Sequence, residues 1–341
     1  MSLLSPSRRD FLRQASALAV ATTCGAVSDR ALYAADNKPP ETLVKLLYDS
    51  MNETQRKQVC FAWDYVEKER GLLRTRLENN WKITKPSIKS GFYTADQQAL
   101  VRDIFLGMTN PAWHERFDKQ LKDDLGGFGI NQSLALFGEP GSGKFEFVLA
   151  SRHMTLRCDG DSADHVAFGG PILYAHEGED LFEKPSHPNN VFWPQALAAN
   201  KLFEMFDGKQ REQALVVKGM PSEELVGFRS REKFDGIAVK SLADDQKQHL
   251  ESVMAMLLEP FRKSDQDEAT KCLTRQGGLD ACHLAFYKEG DLGDDGVYDN
   301  WRLEGPSFVW YFRGRPHVHV WVHVADSADV KLNSYQNSVG V

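Results

Sequence analysis

The sequence predicts an α+β fold in which one unit, helices followed by an antiparallel β-meander, occurs twice and packs as one body. Two observations carry this prediction: a helix-start signal recurs four times, and strand-like segments follow the signals at matching distances. Because helical runs precede strand runs within each half, α+β is favoured over an alternating parallel α/β sheet. The expected boundaries are 41–175 for the first repeat, 176–194 for a connector, 195–325 for the second repeat and 326–341 for a C-terminal tail.

The recurring helix-start signal is a capping residue three places before a glutamine. It occurs at Asn52 to Gln55, Thr94 to Gln97, Asp207 to Gln210 and, in degraded form, Ala243 to Gln246. This is the capping-box spacing, in which the glutamine side chain returns to the amide of the capping residue. Four helices are therefore expected to begin at these points.

Strand-like segments complete each half. Leu134 lies 37 residues after Gln97, and Leu284 lies 38 residues after Gln246. The following strands also correspond, Val148-Leu149 with Arg302-Leu303. The matching offsets favour an internal duplication; the alternative is that a common helix-start signal recurs by chance.

The N-terminus predicts export. Ser7-Arg8-Arg9-Asp10-Phe11-Leu12-Arg13 precedes an apolar stretch over residues 15–27, the pattern of a twin-arginine signal peptide spanning residues 1–35. The alternative is a chance basic N-terminus before a surface helix. A signal places the protein in the periplasm or outside the cell. No later apolar run approaches the roughly 18 residues of a membrane span, so none is expected.

Composition limits the partners and the redox chemistry. A hydrophobic content of 42% is ordinary for a globular chain, and a net charge of -7 argues against a nucleic-acid partner. The expected partner is a small molecule or a ligand of the cell envelope. In an oxidising compartment Cys272 and Cys282 are the likeliest local disulfide, while buried free thiols are the alternative for all four cysteines after the signal.

Residues 138–144 imitate a nucleotide-binding P-loop. Gly138-Glu139-Pro140-Gly141-Ser142-Gly143-Lys144 fits the motif, but Phe145 stands where a hydroxyl would bind magnesium. A P-loop must open a helix. Residues 144–149 instead alternate like a strand, as do 133–137 before them, so the sequence predicts a β-hairpin here and no nucleotide site.

A histidine-rich strand carries the candidate chemistry. Residues 317–324 alternate strictly, with Val318, Val320, Val322 and Val324 on one face and histidines with Trp321 on the other. Residues two apart on a strand lie roughly 6.6–6.8 Å apart, so His317 and His319 can reach one metal ion. His323 is about 13 Å from His319 and cannot bind the same ion.

The third ligand is expected from the first half. His153 heads a strand there, and the offset between the halves places His165 opposite His319. Neutral imidazoles suit zinc, copper, iron or nickel. The sequence thus predicts a metal site formed by His153, His317 and His319, with zinc, copper or iron as the expected cofactor. The alternative is a structural one: a His-x-His segment that is solvated or covered by a loop.

These residues resemble the bacterial family catalogued as domain of unknown function 3500. The family has helix starts of the type Leu/Phe-x-x-x-Gln-Arg, matched here by Met51 to Arg56 and Phe206 to Arg211. The resemblance also rests on His153, on Glu304-Gly305-Pro306, and on His317-Val318-His319 with Trp321, and it spans most of residues 45–325. Two features depart from the family: Ala150-Ser151-Arg152-His153 replaces Glu-Gly-His-His, and an acidic-tyrosine-glycine tail is absent. The resemblance implies no particular activity.

Two classes of function follow from the sequence. The first is an exported metal-dependent hydrolase or oxidase whose catalytic residues are not assigned. The second is a non-catalytic binding or structural protein of the cell envelope, without metal. The two classes differ in whether His153, His317 and His319 bind a metal ion.

Overall fold

The computed structural model describes residues 38–141, 143–178, 190–223, 227–293, 295–330 and 333–334, the last two by their backbone. The predicted signal peptide, residues 1–35, lies outside the described residues, as do much of the predicted connector and tail. The first helix begins at Pro40, one residue before the start expected for the first repeat.

Eight α-helices lie within the described residues, with short 3₁₀ segments between them. They are α1 (Pro40–Ser50), α2 (Glu53–Val59), α3 (Ala95–Met108), α4 (His114–Leu125), α5 (Trp193–Met205), α6 (Gly208–Ala214), α7 (Asp244–Leu258) and α8 (Lys263–Arg275). The four predicted helix starts are α2, α3, α6 and α7.

The strands form one large sheet and two small ribbons. They are β1 (Cys60–Phe61), β2 (Val66–Glu67), β3 (Gly71–Leu72), β4 (Arg76–Leu77), β5 (Ser133–Gly138), β6 (Phe145–Ser151), β7 (Met154–Cys158), β8 (Ile172–His176), β9 (Leu215–Val216), β10 (Ile237–Ala238), β11 (His283–Tyr287), β12 (Asn300–Gly305), β13 (Phe308–Arg313), β14 (Val318–Val324) and β15 (Asn333–Ser334). The ribbons are β2 with β3 and β4 with β15.

The large sheet joins two antiparallel meanders. Its order is β1-β5-β6-β7-β8-β14-β13-β12-β11-β10, with β9 beside β11, and the meanders β5–β8 and β11–β14 meet where β8 pairs antiparallel with β14. Only the short strands β1 and β9 pair in parallel, with β5 and β11 respectively, among the described strands of this sheet. The predicted α+β class is confirmed.

The two faces of the sheet are covered differently. On the helix face, α5 packs Trp193 against Phe312 and Phe203 against Phe286. The opposite face lies under the largely irregular segments 62–93, 217–223 and 227–236; Trp81, for example, donates its indole N–H to Thr155 at 3.0 Å. We call this second face the loop face. Every residue of β14 is buried, so its histidine side lies under loops rather than in solvent.

Glutamine side chains fix the helix starts. Asn52 with Gln55, Thr94 with Gln97 and Asp207 with Gln210 form complete capping boxes, and the Gln246 side chain accepts the Ala243 amide. In both halves the two glutamines also bond each other. Gln55 and Gln97 exchange hydrogen bonds of 2.8 and 3.1 Å, and Gln210 and Gln246 exchange bonds of 2.9 and 2.8 Å.

The segment that resembles a P-loop connects β5 to β6 as a hairpin turn, as predicted. β5 and β6 pair antiparallel from Ser133 with Ala150 to Gly138 with Phe145, so no helix follows Lys144. The amino group of Lys144 instead pairs with Asp164 at 3.0 Å. The absence of nucleotide affinity stays a prediction.

The predicted Cys272–Cys282 disulfide is wrong in this structure, where both are free thiols, as are Cys60 and Cys158. Cys282 faces its own loop, with its sulfur 3.6 Å from the carbonyl oxygen of Gly278. Burial raises the pKa of Cys272 to about 11 and that of Cys282 to about 12, which keeps both thiols protonated. Among the described residues, none of the helices has the length and apolar character required to cross a membrane.

Candidate metal centre

The three predicted ligands meet at one end of the central strands of the sheet, beside the junction of the two meanders. His153 immediately precedes β7, while His317 and His319 lie at the start of β14, and β8 runs between these two strands. Ala175 of β8 pairs with His319 and donates its amide to the carbonyl of His153 at 3.0 Å. Strands two places apart are about 9–10 Å apart. The small Ala175 side chain leaves room for two imidazoles to meet above it.

The backbone at His153 is held in an unusual conformation. Arg152 and His153 connect β6 to β7, and His153 has φ 65°, in the left-handed region that glycine adopts most readily. Such a conformation costs about 1–3 kcal/mol for other residues and persists where neighbouring structure enforces it. The carbonyl of Asn79 accepts the His153 amide at 2.9 Å and helps to hold the turn.

The three Nε2 atoms converge. The His317–His153 distance is 3.0 Å, the His319–His153 distance 3.4 Å and the His317–His319 distance 2.9 Å. Ligands 2.0–2.1 Å from a tetrahedral metal lie about 3.3 Å apart. These histidines form the group within the described residues whose atoms could hold one metal ion. The predicted convergence is therefore observed.

Carboxylates orient two of the rings from behind. Nδ1 of His153 lies 3.0 Å from Oδ2 of Asp124, at the end of α4, and Nδ1 of His319 lies 2.8 Å from Oε2 of Glu223. Asp124 Oδ1 accepts the amide of Glu177 at 3.0 Å, and Oδ2 accepts the side-chain amide of Gln120 at 2.7 Å. Because both oxygens act as acceptors, the His153 contact places a proton on Nδ1 of that ring.

This arrangement directs ring nitrogens at one another. With its Nδ1 donating to Asp124, the neutral ring of His153 presents an unprotonated Nε2 atom to the Nε2 atoms of His317 and His319. Nδ1 of His317 is buried without a hydrogen-bond partner among the described residues. Converging lone pairs in a buried position need a cation or a proton between them. A carboxylate behind a metal-binding histidine is the usual orienting partner of such a site.

The local electrostatics keep the rings of His153 and His317 neutral. Burial, followed by the adjacent His319, lowers the pKa of His153 to about 2, and the same two causes lower the pKa of His317 to about 2. Burial raises the pKa of Asp124 to about 7. Burial is the largest influence on Glu223 and opposes its ionisation, but the hydrogen bond from His319 together with the charges of His319 and Arg313 holds the pKa of that carboxyl below its ordinary value. Neutral imidazoles are the form that binds metals.

Two other histidines of the sequence argument lie away from the centre. His323 is fully buried and stacks on Phe228, with ring centroids 4.4 Å apart, as its distance along the strand requires. The expected position of His165 opposite His319 is wrong. His165 is largely exposed and contacts Asp326 at 2.8 Å. The residues between β7 and β8 form a loop with a 3₁₀ turn, so a constant sequence offset does not hold across them.

Sequence reasoning missed the orienting carboxylates and Ala175. One signal was available: Asp123 and Asp124 occupy the last turn of α4, where acidic residues oppose the helix dipole. Asp123 contacts Nε2 of His176 at 3.1 Å, so both acids of this turn face histidines. Glu223 lies in an irregular segment, and no pattern in the sequence marks it.

The comparisons agree with the resemblance drawn from the motifs. The chain belongs to the family described as protein of unknown function (DUF3500), whose sequence profile matches residues 40–325. Neither a curated protein nor a solved structure matches the chain significantly.

Proposed function

We propose that this DUF3500 protein is an exported metalloenzyme in which His153, His317 and His319 hold one transition-metal ion. The observation that carries the proposal is the convergence of three buried Nε2 atoms within 3.4 Å of one another. Three protein ligands with a fourth position for water is the pattern of catalytic zinc sites. The proposed reaction class is hydrolysis.

The chemistry divides between the metal and the protein. His153, His317 and His319 would hold the ion, which as zinc would supply a water activated for hydrolysis near neutral pH. The chain orients the ligands: Asp124 and Glu223 fix two imidazole rings so that their Nε2 atoms point to one place. Copper or iron suits the same nitrogen ligands and would support oxidation instead.

Elemental analysis of the mature protein, purified without a histidine tag, tests the proposal. We expect about one metal ion per chain in the wild type, loss of the ion in His153→Ala, and retention in His323→Ala. The second variant is a matched control because it removes a buried histidine of the same face outside the centre. Zinc supports hydrolysis, whereas copper or iron redirects the proposal to oxidation. A metal-free wild type that does not take up these ions on titration supports the competing class, a non-catalytic envelope protein.

Export is the second component of the proposal, supported by Arg8-Arg9 followed by the apolar stretch 15–27. We expect Arg8→Lys with Arg9→Lys to keep the protein in the cytoplasm, measured by cell fractionation of a native host. Exported wild-type protein whose intact mass still includes Arg8 and Arg9 would contradict cleavage of the signal.

We also propose that the two halves are copies of one unit. Support comes from the reciprocal glutamine pairs, Gln55 with Gln97 and Gln210 with Gln246. It also comes from the two short parallel strands, which pair Cys60 with Leu136 and Leu215 with Phe286. On this proposal the centre draws ligands from both copies.

A further inference from the structure

A cavity of about 320 Å³ lies beside Asp124, the carboxylate that contacts Nδ1 of His153. Its wall includes Asp124, whose carboxylate contacts His153, and Arg152, the residue before His153 in the chain. Lys82 and Asn80, from the segment covering the loop face, line the other side. The cavity is thus built around the same turn that presents the first metal ligand.

Two basic side chains, Lys82 and Arg152, line this cavity. The amino group of Lys82 bonds the Ser87 hydroxyl at 2.8 Å, and no ion-pair partner for Lys82 lies within the described part of the chain. Arg152 contacts Glu177 through Nη2, one of the donors of a guanidinium that carries five N–H groups. The acid in the wall is already engaged, since Asp124 accepts three hydrogen bonds within the protein.

The remaining wall suits a hydroxylated ligand. Asn80 and Asn131 provide amide groups that both donate and accept hydrogen bonds. Trp81 also lines the cavity. Its indole N–H already donates to Thr155, so the residue contributes ring surface rather than a hydrogen-bond donor. Leu125 supplies a small apolar surface. A cavity of this size fits a small molecule rather than a polymer segment.

We propose that this cavity binds a small organic anion, a carboxylate that also carries hydroxyl groups, with Lys82 and Arg152 contacting the carboxylate. The cavity lies on the Asp124 side of His153, and its lining includes none of the three histidines, so binding of the anion does not require the metal proposed above. Charge-assisted hydrogen bonds to a carboxylate are the strong contacts in this arrangement, and the amides select for hydroxyls.

Isothermal titration calorimetry of the mature protein tests the inference with D-glycerate, L-tartrate and D-gluconate, and with sorbitol as the uncharged counterpart of gluconate. We expect at least one of the three anions to bind and sorbitol to show no comparable affinity. Lys82→Met and Arg152→Met should each weaken binding roughly tenfold or more. Lys85→Met removes an exposed charge from the same segment outside the cavity, and it should leave the affinity unchanged.

The outcomes separate this inference from the metal proposal. Failure of all three anions to bind below about 10 mM, or equal affinity in the wild type, Lys82→Met and Arg152→Met, would overturn the anion site. Metal content is measured on the same samples. A wild type that binds an anion through Lys82 but contains no metal refutes the metalloenzyme and keeps the anion site. A wild type that contains metal but binds none of the anions refutes the anion site and keeps the proposed metal centre.

Discussion

At the scale of single residues, Asp124 is placed where a helix does not favour it. An acid in the last turn of α4 opposes the helix dipole, and burial further opposes its ionisation. Its contact with Nδ1 of His153 explains the position, because the carboxylate sets both the tautomer and the direction of that ring. Asp124 thus lowers local helix stability and organises the centre.

Replacing Asp124 with Asn tests this role. The amide keeps the size of the side chain but removes the charge that polarises His153, and we expect metal affinity to fall roughly 10- to 100-fold without loss of the fold. Competition with a chromophoric chelator measures the affinity. Asp118→Asn is the matched control, because it removes the same charge from an exposed part of α4. Equal affinities in the two variants would contradict an orienting role for Asp124.

At the scale of elements, the site depends on how three strands are arranged. β8 lies between β7 and β14, and Ala175 is the neighbour of both His153 and His319 across the strands. A larger side chain at this position would stand between the two imidazoles. The size of the side chain at position 175 therefore decides whether His153 and His319, from two different strands, can meet.

We expect Ala175→Val to lose most of its bound metal while retaining the sheet. Two added methyl groups at a buried position cost about 1–3 kcal/mol of stability, and they displace the rings that close over Ala175. Elemental analysis and circular dichroism measure the two effects. Ala175→Ser adds a single oxygen atom and should keep the metal. A valine variant that binds metal as the wild type does would show that the rings do not need this space.

Local patterns predicted much at this scale. The capping boxes located α2, α3, α6 and α7, and strict alternation located β14 and the direction of its histidines. These features depend on residues close together in the sequence, three positions apart in a capping box and two positions apart on one face of a strand. Pairing of β8 with β14 and the covering of the loop face depend on contacts between distant segments. For that reason, the sequence identified the three histidines but not Asp124, Glu223 or Ala175.

At the scale of the whole molecule, the two meanders form one sheet with a buried site near their junction. Ligands come from segments more than 160 residues apart in the chain, since His153 and His317 are separated by 164 positions. Metal binding therefore requires both halves to be folded and paired. The segments over the loop face cover the three histidines, whose exposed fractions are each at most 6%.

A second pair of acids, buried Asp159 and half-buried Glu268, affects the molecule as a whole. Asp159 precedes the loop between β7 and β8, and Glu268 on α8 accepts the amide of Phe168 from that loop at 3.1 Å. Burial, followed by the charge of Asp159, raises the pKa of Glu268 to about 7. Burial likewise raises the pKa of Asp159 to about 7. Folding must therefore bring together two carboxyl groups that are easier to bury when protonated.

The sign of the pH effect follows from this shift. In the unfolded chain Glu268 ionises near its ordinary pKa of about 4.3, whereas in the folded protein it keeps its proton up to about pH 7. The folded state binds more protons between these values, so the free energy of unfolding falls as the pH rises from about 4.5 to 7 and then levels off. Glu268→Gln removes this loss and keeps an oxygen that can accept the Phe168 amide.

We therefore expect Glu268→Gln to gain stability relative to the wild type as the pH rises from 5 to 8. The change should amount to about 1–2 kcal/mol, below the full linkage value because the side chain is partly exposed to solvent. Urea unfolding at pH 5, 6, 7 and 8 measures it. Asp267→Asn removes a charge from the exposed side of the same helix, where Asp267 pairs with Lys263, and its difference from the wild type should stay constant over this range. If the Glu268→Gln difference is also constant, burial of Glu268 does not govern the pH dependence of folding.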